Sequence, residues 1–409
     1  MEEKERRIAI LLSHEYPPYI FGGVAVYSKQ LAEWLSRNSW KVFVIAGKAS
    51  INERINMEKI DDRFTIIRVY FPEIPPRWLL YTMPAKRCLE MLLTRDIRVV
   101  LSNSPLTWLA LKDLRKSKKS TSYITVFHGS IHSLLAFFHY AIQDDFRNIS
   151  LEELIYYAEA PLINHLTRRD LLVSDQYIFV ANHVITEFES LYRDMARTIR
   201  HRSNVIYPGV DYDHLVQLRR SVEKVEKDKI IIAYVGRLYY TKGVTHALKT
   251  VENLVEEGHK RDVELWIFGK GPLELWLKSY MKRRKLSQHI KYFKFIERSK
   301  LLSLMAKYVD VLLHPSLYEG APLAVMEAQA LGVPVITYDL PWAQEFIING
   351  INGYRIPYPN TVKLAEGIVK AAGIKVNGII QSAKKFDKKL TFQKLENVFN
   401  KVLYPDAEQ

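Results

Sequence analysis

Cysteine is almost absent from this chain: of its 409 residues only Cys88 is one. A single thiol forms no internal disulfide, which fits a reducing cytosol and excludes the disulfide-framed secreted domains. No run approaches the roughly 20 apolar residues of a membrane-spanning helix. Behind the charged start Met-Glu-Glu-Lys-Glu-Arg-Arg the apolar run Ile8 to Leu12 has five residues, and a secretory signal needs roughly 7–15. The expectation is a soluble, cytoplasmic protein. Repeats at solenoid periods and low-complexity tracts are lacking as well. So are His/Cys groups at zinc spacing, and neither Asp61-Asp62 nor Asp144-Asp145 is placed as an Asp-x-Asp metal signature at a strand end. Neither a metal nor a cofactor is expected.

What is present reads as globular: 48% hydrophobic and 25% charged residues leave no room for a disordered chain. At this length two domains of roughly 200 residues are the natural division. The net charge is +14. Much of the excess lies between Lys278 and Lys300, where nine Lys/Arg face the single acid Glu297. A solvated helix face explains such a run, and a polyanion-binding surface is the alternative. Lys112, Arg115, Lys116, Lys118 and Lys119 end a segment that starts apolar at Leu106, Trp108, Leu109 and Leu111. Cations near a helix C-terminus suit the macrodipole, which favours an ordinary amphipathic helix. The same surface leaves open a peripheral contact with the cytoplasmic membrane face.

Short β-rich apolar runs alternate with helix-period segments throughout. In the first half Arg7–Leu12, Val42–Ala46, Phe64–Tyr70, Val99–Ser102, Tyr123–Phe127, Gln176–Ala181 and Val205–Tyr207 read as strands. The second half repeats the plan with Ile230–Val235, Val263–Phe268, Ile290–Phe295, Val311–His314, Val335–Tyr338 and Gly353–Ile356. Strands that are apolar on both faces argue for parallel sheets covered by helices. Two successive βαβ series predict an α/β protein of two doubly wound domains. The boundary is expected near Pro208-Gly209, giving domains at 1–208 and 209–388, with a C-terminal helix at 389–409 returning to the first. Ser130–His165 is long, helix-compatible and rich in aromatics and His (Phe137, Phe138, His139, Tyr140). It follows a strand end, and we read it as a lid or an acceptor wall.

Five places carry chemistry. After the strand ending at His314, a loop bears Glu319 and Gly320, and Pro322 opens a helix containing Glu327. The backbone N–H groups of Gly320, Ala321 and Leu323 around that helix start suit a diphosphate, since the helix dipole stands behind them and Pro322, which has no N–H, sacrifices no needed donor there. A loop carboxylate accepts hydrogen bonds from sugar hydroxyls, and one a turn into the helix reaches another hydroxyl pair such as a ribose's. Strand Ile230–Val235 runs into Gly236-Arg237, and Lys242-Gly243 opens the next helix. Two cations across a strand-to-helix turn clamp a diphosphate, Arg by its fork and Lys as a point charge. Gly269-Lys270-Gly271-Pro272 follows a strand and lets backbone approach a ligand. In the first half, Gly22-Gly23 opens a helix after Tyr16-Pro17-Pro18, and His128-Gly129 ends a strand on the side where open α/β sheets bind ligands.

The stretch from His314 to Ile336, with Glu319 and Glu327 separated by seven residues, resembles the glutamate pair of retaining GT-B glycosyltransferases of the group 1, family 4 type. The Gly236-Arg237…Lys242-Gly243 element, the Gly269-x-Gly271-Pro272 turn, Ile206-Tyr-Pro-Gly-Val-Asp211, the Gly22-Gly23 loop and His128-Gly129 resemble further elements of that family. The resemblance runs from Arg7 to about Leu403, with its specific motifs within 206–357. It implies two Rossmann-like domains facing a central cleft, with the donor held by the C-terminal one. Glu319 would contact the donor sugar, Glu327 the nucleotide ribose, and Arg237 and Lys242 the leaving diphosphate. His128 would border the sugar, Gly22 and Gly23 would face the diphosphate, and the backbone at Phe295 and Ile296 would meet the base. There the chain departs from the pattern, because Lys294 stands where relatives carry glycine. The implied reaction moves a sugar from a nucleotide-sugar to a glycan, lipid-linked or small-sugar acceptor, with retention and without a metal. A sugar-nucleotide epimerase on the same fold, and a basic polyanion-binding protein resting on Lys278–Lys300, are the rival readings. The latter leaves both the cation and the carboxylate spacings unexplained and lacks a nucleic-acid-binding signature. The residues select no particular sugar, base, acceptor or oligomeric state.

Overall fold

The structure, a computed structural model, describes residues 7–20, 22–48, 56–70, 77–92, 95–103, 107–117, 120–144, 146–225, 228–256, 263–371 and 373–404. Lys118 and Lys119 of the first-half basic cluster and Leu106 ahead of it lie outside the described residues. By contacts the chain divides into two compact units. The first comprises Met1–His132, Ile155–Tyr207 and Thr391–Gln409, and the second Ser133–Leu154 and Pro208–Leu390. The chain therefore passes into the second unit at residue 208, returns at 391, and also sends residues 133–154 there, a segment the sequence places in the first half.

Fourteen strands form two sheets among the described residues. The first sheet holds β1 (Ile8–Ser13), β2 (Lys41–Lys48), β3 (Asn56–Lys59), β4 (Phe64–Tyr70), β5 (Ile97–Ser102), β6 (Ser122–Phe127), β7 (Gln176–Phe179) and β8 (Ser203–Val205). Its order is β3-β4-β2-β1-β5-β6-β7-β8. All its pairings are parallel except the edge pair β3–β4. The second sheet holds β9 (Ile230–Val235), β10 (Val263–Phe268), β11 (Ile290–Lys294), β12 (Val311–Leu313), β13 (Val335–Tyr338) and β14 (Gly353–Ile356), ordered β11-β10-β9-β12-β13-β14 and parallel throughout. Two doubly wound α/β units are thus present.

The strands sort this way because their residues are apolar on both faces. β10 is buried from end to end, and in β9 only Val235 is partly exposed. Right-handed crossovers put helices on opposite faces wherever strand order reverses. Helix Val244–Glu256 packs with Thr361–Ala371, and Leu323–Ala330 with Val376–Ala383. In each sheet the order reverses beside its first strand: between β1 and β5, and between β9 and β12. Loops leaving the carboxyl ends of those strands flank a crevice, and open α/β sheets bind ligands there. In the first unit the last helix, Lys388–Leu403, brings Phe392 and Phe399 onto Trp34 and Phe399 onto Trp40.

Candidate active site

At the β9/β12 switch point two loops meet. The first leaves β9 through Gly236, Arg237 and Leu238 and closes in a short 3-10 turn, Tyr240–Lys242. Tyr234, buried in β9, places its hydroxyl 2.9 Å from the Arg237 carbonyl and 3.2 Å from that of Lys242, so one ring spans the base of the turn. Gly243 ends the turn at φ +71, and a Cβ there would lie 2.0 Å from the Pro315 carbonyl oxygen, so only glycine lets the turn seat on the second loop. Gly269, at φ +149, lies so close to the Gly236 carbonyl that a Cβ would come within 1.9 Å of it. Gly271 also packs on main chain, where a Cβ would come within 2.6 Å of the Leu238 carbonyl oxygen. The glycines at 269 and 271 thus bring two stretches of main chain, 236–238 and 269–271, together at one sheet end, while Gly236 has only the Tyr234 ring beside it.

The second loop runs from β12 through His314 to Glu319. Lys242 Nζ donates to Glu319 Oε1 at 2.7 Å and to the Tyr318 carbonyl at 3.1 Å. His314 Nε2 lies 3.0 Å from the same carboxylate oxygen and therefore carries its proton on Nε2. Burial alone would raise the Glu319 pKa, but the Lys242 charge and the His314 hydrogen bond outweigh it, and the carboxyl is held well below its ordinary range. Glu319 is thus a fixed, ionised acceptor. Arg237 is exposed and lies over the Tyr239 ring at 4.6 Å, which leaves its guanidinium edges turned to solvent. Gly320 and Ala321 lead to Pro322, which caps the helix Leu323–Ala330. Glu327, 5% exposed inside that helix, pairs with Arg298. Burial raises its pKa against the opposing pull of Arg298.

Arg298 belongs to the basic run read as a solvated face, and its pairing with a buried carboxylate corrects that reading at this position, as the pairings of Arg284 with Glu252 and of Lys291 with Glu264 do at theirs. Phe295 and Ile296 lie in the loop after β11 at the same sheet end, Phe295 64% exposed. Lys294 takes φ +57, and its carbonyl accepts from Gly269 N at 2.7 Å. The left-handed turn that glycine would adopt freely is therefore made by a lysine.

The remaining candidates belong to the first unit. His128 follows β6 and holds Asn103 Oδ1 at 2.5 Å through Nε2, and Asn103 in turn donates to Ser28. Burial lowers the His128 pKa to about 4, so its ring is neutral at physiological pH. Gly22 caps the helix Gly23–Arg37 and donates its N–H to Glu15 Oε2 at 2.8 Å. The sequence reading overlooked His314, Arg298, Tyr234 and Asn103. Of these only His314, at a strand end ahead of the glutamate loop, carried a positional signal.

Among the described residues no group of three or more His, Cys, Asp or Glu is arranged to hold a metal. Asp211-Tyr212-Asp213, which has the Asp-x-Asp form, is otherwise engaged: Asp211 caps a helix and pairs with Lys388, and Asp213 pairs with Lys389. No helix among those residues is long and apolar enough to cross a membrane.

Two parallel doubly wound units with a loop site at a switch point define the GT-B class. The fold of sucrose-phosphate synthase from Thermosynechococcus elongatus superposes with a TM-score of 0.75 at 16% identity, covering 98% of this chain and 100% of that one. Anabaena HepE in complex with UDP does so at 0.67 and 15%, covering 96% and 99%. Residues 217–387 match the profile of glycosyl transferases group 1, and residues 21–214 that of glycosyltransferase family 4. An uncharacterised glycosyltransferase of Methanocaldococcus jannaschii is 25% identical over 88% of this chain and 87% of its own length. The chain belongs to the group 1 glycosyltransferases, and its activity is glycosyl transfer.

Proposed function

We propose that the chain transfers a sugar from a nucleotide-sugar to a glycan, lipid-linked or small-sugar acceptor, with retention at the anomeric carbon and without a metal. The carrying observation is the Glu319–Lys242–His314 contact at the β9/β12 switch point, with Arg237 on the same turn. The bond from the anomeric carbon to the diphosphate breaks, and one to an acceptor hydroxyl oxygen forms. Arg237, Lys242 and the helix start at Pro322–Leu323 meet the negative charge that the leaving diphosphate gathers. Glu319 accepts from sugar hydroxyls and Glu327 from the ribose, while the main chain at Gly236, Gly269, Gly271, Gly320 and Ala321 gives close approach to the donor. Phe295 and Ile296 border the base. His128, Gly22 and Gly23 are the candidates of the first unit. UDP in the HepE structure of like fold supports a nucleoside-diphosphate donor.

Calorimetry with UDP, GDP and ADP and the matching nucleosides tests the reading. Arg237→Ala and Lys242→Ala should each weaken diphosphate binding by roughly 1.5–3 kcal/mol, the range of hydrogen bonds to charged groups, and leave nucleoside binding nearly unchanged. Equal losses for both ligands, or binding of none of the three diphosphates, would overturn it.

A further inference from the structure

Tyr239, Tyr240 and Thr241 are three consecutive residues of the loop that joins the two cations, Arg237 and Lys242. Each is held by a carboxylate from the segment 133–154. Tyr239 donates its hydroxyl to Glu152. Tyr240, fully buried, donates to Asp144 Oδ2 at 3.0 Å. Thr241 donates its backbone N–H to Glu153 Oε1 at 2.9 Å. The carboxylates are themselves fixed. Glu153 closes a capping box at the start of its own helix: its Oε2 accepts from Ser150 N at 3.0 Å, and Ser150 Oγ accepts from Glu153 N. One oxygen thus serves the helix and the other the turn. Asp144 lies 3.0 Å from His246 Nε2 and 3.7 Å from Lys249 Nζ. Burial pushes its pKa up, but the His246 hydrogen bond and charge and Lys249 pull it down to about 2, so it stays ionised.

A three-residue 3-10 turn has poor internal hydrogen bonding and sets its own shape weakly. The residue just before it, Tyr239, carries the ring under Arg237, and its last residue is Lys242. We infer that residues 133–154 are an arm that shapes the diphosphate-binding turn, with Asp144, Glu152 and Glu153 as positioning residues for Arg237 and Lys242. The inference rests on the proposed role of those two cations. It makes a claim with a definite sign. Three acidic groups beside a diphosphate site weaken anion binding by Coulomb repulsion, so on charge alone removing one strengthens it. If the arm positions the cations, removing one weakens it.

The test measures binding of UDP, GDP and ADP and their nucleosides to the full chain carrying Glu153→Ala, Asp144→Asn or Tyr240→Phe, with thermal unfolding as a check on folding. The expected result is a roughly tenfold loss of diphosphate affinity for Glu153→Ala, a hydrogen bond's worth, and losses in the same direction for the other two. Nucleoside affinity should change less than about twofold, a difference that a general loosening of the fold would not produce. Unchanged or tighter diphosphate binding in a folded variant overturns the inference, as does an equal loss of nucleoside. Should Glu153→Ala not fold, Tyr240→Phe, which removes one hydroxyl, decides. Arg237→Ala and Lys242→Ala binding the diphosphate as well as the unaltered chain would instead overturn the clamp itself, leaving the arm's docking intact.

Discussion

At Glu319 burial and charge pull against each other, and charge wins. The carboxylate shares one oxygen between Lys242 and His314, so it is ionised without help from solvent. Glu319→Gln keeps the shape and removes the charge. Lys242 then loses its counter-ion and, on the proposed role of Glu319, the sugar hydroxyls would lose their charged acceptor. The fold should survive, while turnover falls by about 10²–10³, the usual effect of deleting one contact that strengthens as charge develops. Donor-sugar turnover beside thermal unfolding checks this, and a near wild-type kcat would remove Glu319 from the chemistry. His128 shows the reverse balance, with burial lowering its pKa from 6.5 to about 4. The unfolded chain takes up that proton first as pH falls. The His128 site therefore costs nothing above about pH 6.5, and its stability cost grows down to about pH 4, reaching roughly 3 kcal/mol. Urea unfolding at pH 7 and pH 4.5 should show a smaller pH difference in His128→Gln than in the unaltered chain. An equal difference would mean that the ring is not held neutral.

The elements that the sequence reveals are those whose burial is two-sided. β1, β9 and β10 are unbroken apolar runs, and nothing but a covered parallel strand suits them. β3 escaped because it is an antiparallel edge strand reading Asn-Met-Glu-Lys, mostly exposed, with no apolar period to detect. β8 was displaced by two residues, from Val205–Tyr207 to Ser203–Val205: its three positions are all half-buried, and the apolar Ile206 that follows drew the reading forward. In the site, the two cations and two carboxylates were legible because glycine and proline punctuation ties them to strand ends. Arg298 was not, since one cation among nine carries no mark of its partner, and Glu327 stands 29 positions away in sequence. The arm was legible as an oddity and no more. Its three carboxylates find their donors 87, 96 and 88 residues further on, and no local pattern encodes a pairing of that range.

On the scale of the whole molecule the question is where the positive charge for the reaction comes from. The chain carries +14 in all, yet most of that excess is solvated and screened within about 10 Å at ordinary salt. What matters is the charge fixed at the switch point. Arg237, stacked on Tyr239, Lys242, borrowed by Glu319, and the N-terminus of Leu323–Ala330 all belong to one unit. Lys242 neutralises Glu319, and on the proposed role an arriving diphosphate would compete for it. A metal would serve the same leaving group, but these groups are covalently in place and need no assembly. Activity should therefore survive excess EDTA, with added Mg²⁺ changing it less than about threefold, well under the 10²–10³ that loss of an essential stabilising group produces. Initial rates of nucleotide-sugar turnover, with and without chelator, measure this directly. Loss of activity on EDTA that only Mn²⁺ or Mg²⁺ restores would show that Arg237, Lys242 and the helix end do not carry the charge of the leaving group.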